Sequence, residues 1–320
     1  MQLKESGRLR PRALRLLAAA AALVLLVVAG CGQLAEKERE LTFRVVPGTA
    51  SWFDGVPAGV EETDLTVQVD GKTQRVHAWW WPASSAHAPA VLYLHGSRWN
   101  LTGQTGHIEQ LHAFGFSVLA IDYRGFGKSD GDLPSEQTVY EDARVAWDRL
   151  VQLQPEPSLR LIYGHSLGGA VAIDLAAHLS TSVENGGSAP ARGVIVESSF
   201  TTLADIARSL SYSWLPVQML LTQKFDSVHK IAELRMPVLI VHGADDRFVP
   251  ARFSEELYEA AREPKKPLLV NGATHNNSMR VGSAEYLQAM HDLFSVGRSS
   301  AVAEIKGGGL SMSAQAVRQP

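Results

Sequence analysis

The chain has 320 residues, 45% hydrophobic and 20% charged, with a formal net charge of −3 and a single cysteine, an ordinary globular composition with apolar material enough for a large core. No basic block occurs beyond the first fifteen residues, which excludes a phosphate-tracking surface and makes nucleic acid no expected partner. One cysteine also excludes an internal disulfide.

The first predicted element is a targeting segment. Lys4, Arg8, Arg10, Arg12 and Arg15 precede an uncharged apolar stretch from Leu16 to Ala29. Its fourteen residues fit a signal peptide and fall short of the ~20 needed to span a bilayer. The stretch ends in Val28-Ala29-Gly30-Cys31, which resembles the bacterial lipoprotein box. That resemblance implies removal of residues 1–30, lipid on Cys31, and a membrane as partner through that lipid. Gly32 stands where an aspartate would imply inner-membrane retention, so the expected place is the outer membrane of a Gram-negative cell, or otherwise the outer face of the cell membrane. Removing residues 1–30 takes five basic and one acidic side chain from the 30 and 33 of the whole chain, leaving a net of −7. Residues 31–40 are mostly polar and read as a lipid-anchored tether. A folded body is expected over 41–296, and residues 297–320, with three consecutive glycines and no apolar period, read as a disordered tail.

Within the body, Leu65–Val69 and Thr73–Trp81 flank Asp70-Gly71, a hairpin signal. Short continuous apolar runs follow at Ala90–His95, Phe116–Asp122, Leu159–Tyr163, Gly193–Glu197, Val238–His242 and Pro267–Val270. Such runs suit strands covered on both faces. Helical segments are predicted between them, at about 104–114, 135–153, 167–179, 251–262 and 283–295. An antiparallel start followed by strand-helix alternation predicts an α/β fold with a mostly parallel twisted sheet and helices on both faces.

Gly164-His165-Ser166-Leu167-Gly168 follows the predicted strand at 159–163 and opens the next helix. This is the G-x-S-x-G pattern of a nucleophile elbow, a turn so tight that the serine backbone is strained and its neighbours must lack side chains. A serine hydroxyl is a weak nucleophile until a histidine takes its proton and an acid orients that histidine. In an elbow fold the acid and then the histidine follow the serine in the chain. Asp245 and Asp246 lie in the loop leaving the strand at 238–242, and His275 lies in the loop after the last strand. Glu197, ending another strand, is an alternative acid, whereas His95, His165 and His242 have neither the order nor the position of a base and read as loop-structuring or packed histidines.

Five segments in order, His95-Gly96, DYRGFGKSDG at 122–131, GHSLGG at 164–169, HGADDRFVP at 242–250 and GATHNN at 272–277, resemble the alpha/beta-hydrolase superfamily. Within it the likeness is to the serine-aminopeptidase-like and abhydrolase-domain group, over about residues 60–295. The resemblance implies that the acid is Asp246, in H-G-x-x-D-x-x-V-P register, and that Asp245 is a turn residue. It implies an oxyanion hole made by the backbone N–H groups of Leu167 and Ser97. Ser97 stands where related chains often carry asparagine, a departure that leaves the backbone donor intact. The DYRGFGKSDG segment reads as a structured wall with an internal Asp/Arg pairing.

Residues 206–222 are apolar and nearly uncharged, and read either as part of a small lid at about 200–230 or as an ordinary buried helix. Asp205 is the only acid between Phe200 and Phe225, where an aminopeptidase would need acids to hold an ammonium group. The expected function is therefore a serine hydrolase of carboxylic esters or thioesters, with Ser166 as nucleophile, His275 as base and Asp246 as its orienter. Its expected partner is a small acyl substrate. A peptidase or amidase on the same residues and a non-catalytic binding lipoprotein are the alternatives. No cofactor is implied, no metal-ligand spacing stands out in the sequence, and nothing in it sets the oligomeric state.

Overall fold

The computed structural model describes residue 30 and residues 32–85, 87–184, 191–212 and 217–296. Residues 1–29, Cys31 and the predicted tail 297–320 lie outside the described residues.

The first described element departs from expectation. Residues 32–43 form a helix, α1, where a polar tether was predicted at 31–40. The polar residues lie mainly on its outer side, while Glu38 and Phe43 are buried. The Glu38 carboxylate accepts hydrogen bonds from the Thr222 and Gln223 backbone N–H groups, 2.8 and 2.7 Å, and from the Thr222 hydroxyl. Phe43 meets Phe126 and Phe225 edge to face at 6.5 and 6.1 Å. The first turns of the body are thus built into its core, and local polarity misled because the partners are some 80 to 180 residues away in sequence.

Among the described residues eight strands form one sheet. They are β1 (Glu61–Val69), β2 (Lys72–Trp81), β3 (Ala90–Leu94), β4 (Ser117–Ile121), β5 (Arg160–His165), β6 (Gly193–Glu197), β7 (Val238–Gly243) and β8 (Lys265–Val270). The spatial order is β1-β2-β4-β3-β5-β6-β7-β8. β1 pairs antiparallel with β2, and β2 with β4, while every later pairing is parallel. Asp70 and Gly71 both take positive φ, 49° and 75°, the conformation of a two-residue hairpin turn that matches strand twist.

Helices cover both faces: α2 (Thr105–Ala113), α3 (Glu136–Leu153), α4 (Leu167–Glu184), α5 (Leu203–Ala207), α6 (Val217–Leu220), α7 (Ser227–Ile231), α8 (Arg252–Ala260), α9 (Ser278–Val281) and α10 (Ser283–Phe294). The central strands alternate between two cores because successive side chains point to opposite faces. Leu92, Val194, Val196 and Ile240 join the side chains of α3, α4 and α8. Val91, Tyr93, Ile195 and Leu239 join those of α2 and α10. Both sets are apolar, which is why these strands lack an amphipathic alternation in sequence.

The segment predicted as a lid, 200–230, holds α5, a π-helical turn at Arg208–Tyr212, α6 and α7; residues 213–216 lie outside the described residues. The DYRGFGKSDG segment is closed by internal hydrogen bonds, the Lys128 N–H and the Ser129 hydroxyl donating to Asp122, but the expected internal Asp/Arg pairing is absent among the described residues and its ion pairs run outward. Arg124 grips Asp142 and Glu141 of α3, Asp130 pairs with Arg75 of β2, and Asp122 accepts the Leu101 N–H at 2.7 Å.

Candidate active site

β5 ends at the edge of the sheet where the parallel strands finish, and the turn into α4 is made by Ser166, whose φ of 55° lies in the left-handed region. That conformation costs a non-glycine residue about 1–3 kcal/mol and persists only where its surroundings over-determine it. The surroundings here are the flanking glycines. A Cβ on Gly164 would fall on the carbonyl oxygen of Gly168, one on Gly168 would fall on the carbonyl of Leu94, and one on Gly169 would strike the Ser199 side chain at 2.5 Å. At Gly164 and Gly168 main chain fills the space where a side chain would stand, and the Ser166 N–H is held by the Glu197 carbonyl at 2.8 Å.

The turn places Ser166 against two loops from the same sheet edge. His275, in the loop after β8, receives the Ser166 Oγ–H on Nε2 at 3.0 Å and donates Nδ1–H to Asp246 Oδ2 at 2.7 Å. The carboxylate can only accept, so the Nδ1–H tautomer follows and leaves a lone pair on Nε2 facing the serine. Asp246 is in the loop after β7. Its second oxygen accepts the N–H groups of Phe248 and Val249, 2.8 and 2.9 Å. Burial would raise this carboxyl, but hydrogen bonds from His242, His275 and the Val249 N–H hold it well below the usual carboxylate range.

Of the three candidate acids, then, Asp246 meets His275. Asp245 is exposed in the turn leaving β7, and its N–H donates across to the Ala273 carbonyl in the loop after β8. Glu197 is buried away from the His275 Nδ1, with Oε2 accepting from the hydroxyls of Tyr163 and Tyr286, each at 2.8 Å. Gly96 runs against the elbow, its ideal Cβ position lying 3.1 Å from the Ser166 Cβ, so the next residue, Ser97, enters beside the serine. Leu167 is the first residue of α4, where an amide has no carbonyl partner within the helix. Asn100 braces the Ser97 loop by capping the turn at Leu101–Gly103 and donating to the Gly48 carbonyl.

One of the histidines set aside as a base braces the acid's loop, and one cluster was not legible in sequence. His242 fixes the Asp246 loop, with Nε2 at 2.9 Å from the Val249 carbonyl and Nδ1 at 2.7 Å from Ser254 Oγ. Beneath His275, His107 of α2, His165 and Glu197 bring one ligand atom each within 4.8 Å of one another, with His107 Nε2 3.9 Å from Glu197 Oε1. No spacing signal marks this cluster, since its members come from three elements. The 3.9 Å between His107 Nε2 and Glu197 Oε1 exceeds both a direct hydrogen bond and the ~3.4 Å between ligands of a tetrahedral zinc ion held at ~2.1 Å.

The lid acid predicted to be alone is spoken for. Asp205 accepts the hydroxyls of Thr201 and Thr202 and pairs with Arg208.

Comparison with known proteins agrees with this architecture. A family model described as serine aminopeptidase, S33 (Hydrolase_4), matches residues 85–226. The chain is 35% identical over 261 residues to the Mycobacterium tuberculosis protein Rv2307c, across 80% of this chain and 87% of that one. It is 31% identical to the lysophosphatidylserine lipase ABHD12 of Danio rerio, across 66% of this chain and 57% of that one. Among solved structures it is similar to the Pyrococcus furiosus esterase Pf2001, with a TM-score of 0.60 at 20% identity over 78% of this chain and 97% of that one, a likeness of fold. Sheet order, elbow and relatives coincide, and the chain belongs to the alpha/beta-hydrolase superfamily.

Proposed function

We propose that this hydrolase cleaves carboxylic esters or thioesters through an acyl-enzyme on Ser166. The observation that carries the reading is the continuous hydrogen-bonded relay from Ser166 Oγ through His275 to Asp246, 3.0 and 2.7 Å, assembled from three separate loops. In the first step Oγ attacks the acyl carbon while His275 Nε2 takes its proton. The oxyanion that forms is met by the Leu167 and Ser97 N–H groups, each such donor contributing roughly 100 to 1,000-fold in rate. The tetrahedral intermediate collapses as the imidazolium protonates the departing alcohol or thiol. Water, deprotonated by the same Nε2, then attacks the acyl-enzyme and returns Ser166 to its starting state. Asp246, held ionised, keeps the imidazole in its tautomer and stabilises the imidazolium.

The likeness to a lipase acting on a lysophospholipid supports acyl-chain esters as the substrate class. Amide cleavage is the second reading, favoured by the description of the matching family model. Against it, Asp205 is already bonded to Thr201, Thr202 and Arg208, leaving no free acid for a substrate ammonium among the described residues of 200–225. The test is hydrolysis of p-nitrophenyl esters of increasing chain length and of aminoacyl p-nitroanilides by the full chain, with Ser166→Ala alongside. Ester cleavage that falls by at least about 10^4-fold in the variant is the expected result. Anilide cleavage without ester cleavage would move the reading to a peptidase.

The chain is further proposed to be exported and lipid-anchored on Cys31. Leu34 and Leu41, seven residues apart on one side of α1, are more than half exposed, which supports a body seated against lipid. Metabolic labelling with a radioactive fatty acid should mark the wild type and not Cys31→Ala, and the variant should leave the membrane fraction.

A further inference from the structure

We propose that His165, the residue before the serine, positions the proposed base: its ring clamps the main chain of His275, and the buried Glu197 and His107 back that ring from the other side. The inference rests on the assignment of His275 as the base. His165 Nε2 lies 2.8 Å from the His275 carbonyl oxygen. A carbonyl only accepts, so Nε2 carries the proton and Nδ1 bears a lone pair. That Nδ1 is buried with no hydrogen-bond partner among the described residues, as are Glu197 Oε1 and His107 Nε2, and the three side chains each bring one ligand atom within 4.8 Å of the others, with the His107 and His165 rings 4.7 Å apart. Burial pushes both imidazoles below their ordinary value, with His165 lowered further by His107 and His275 and His107 partly restored by Glu197. Both therefore stand neutral at neutral pH, which preserves the Nδ1 lone pair and the Nε2–H clamp.

Glu197 closes the arrangement from below. Its main-chain oxygen accepts the Ser166 N–H at 2.8 Å, its Oε2 is fixed by two tyrosine hydroxyls, and its Oε1 faces the histidine pair. The backbone of the nucleophile and the backbone of the base are thus tied, each by one bond, to adjoining members of one buried polar cluster. Misplacement of a reacting group by about 1 Å can cost 100-fold, so the clamp has leverage on rate without touching substrate.

The test compares His165→Gln with His165→Asn in the full chain, because a glutamine amide reaches the position of Nε2 and an asparagine amide only that of Nδ1. The expected result is a kcat lowered roughly 10 to 100-fold in His165→Asn, with KM close to wild type and most of kcat recovered in His165→Gln. Equal activity in the two variants, or a change confined to KM, would overturn the proposal. A readout free of substitution in the protein measured is the 15N spectrum of wild type, with the His165 signal assigned by its loss in His165→Gln. A neutral Nε2–H ring at pH 7 supports the clamp and an Nδ1–H ring refutes it. Ser166→Ala and His275→Ala run in the same assay separate the two levels: if those retain activity the base assignment itself fails, and if they lose it while the His165 pair are alike, only this inference does.

Discussion

Asp246 illustrates how one residue ties stability to chemistry. Its carboxyl is buried yet accepts two backbone N–H groups and the His275 Nδ1–H, and those bonds outweigh desolvation and depress its pKa. A depressed folded value means that the unfolded chain binds the proton more readily. The stabilisation is then fully present above the unfolded value of ~3.9 and is lost as pH falls below it, through the folded value. The melting-temperature gap between wild type and Asp246→Asn should accordingly stay constant from pH 8 to 5 and close only under strongly acidic conditions. The same variant should lose about 10^4-fold in kcat toward esters, because asparagine can hold the wrong imidazole tautomer.

At the level of elements, two junctions set the position of the site. The elbow depends on β3 and α4 approaching until glycine is the only residue that fits, so Gly168→Ala must push against the Leu94 and His95 carbonyls. Overpacking of this kind costs about 1–3 kcal/mol or more; urea unfolding should register the loss, and ester hydrolysis should fall with it because those carbonyls lead into the Ser97 loop. The second junction joins the 122–131 loop to α3 through Arg124 and Asp142. Burial pushes the Asp142 carboxyl up to about 6 against the pull of the Arg124 bonds. A folded value above the unfolded ~3.9 means that the folded chain binds the proton more readily, so this group's contribution to stability declines as pH rises from about 4 to 6. Arg124→Ala should cost about 3–5 kcal/mol at pH 8, where a buried carboxylate is left without its partner. The cost should be smaller at pH 5, where Asp142 takes up a proton, and urea unfolding at the two pH values checks the difference.

For the molecule as a whole, α1 changes how the body relates to what precedes it. A tether would leave the domain loosely joined to whatever precedes it, whereas the described helix at 32–43 is fastened to the core through Glu38 and Phe43. The helix ends at Phe43, whose carbonyl accepts the Arg98 N–H, one residue beyond the proposed Ser97 donor. Phe43→Ala should destabilise the whole domain by about 3–5 kcal/mol in a single cooperative transition, measured by urea unfolding followed by tryptophan fluorescence. A separate, earlier melting of α1 would show instead that it is an appendage.

Much of this protein was determined by sequence alone. The strands lie within a few residues of their predicted places, because a sheet covered on both faces requires continuous apolar runs and these are visible in one dimension. G-x-S-x-G was legible because its glycines answer a local backbone constraint, and the candidates Ser166 and His275 followed from their order along strand ends. Order by itself left Asp245, Asp246 and Glu197 open as the acid, and only the family resemblance pointed to Asp246. What only the tertiary structure decided involves partners distant in sequence. Nothing near residue 38 announces that Glu38 will cap residues 222 and 223, and nothing near Arg124 names Asp142 as its partner. The cluster of His107, His165 and Glu197 leaves no trace in spacing, since its members arrive on a helix and two strands whose ends meet only when the sheet closes. Local patterns report which surface a residue must bury; which polar group it meets there depends on the register in which separate elements pack.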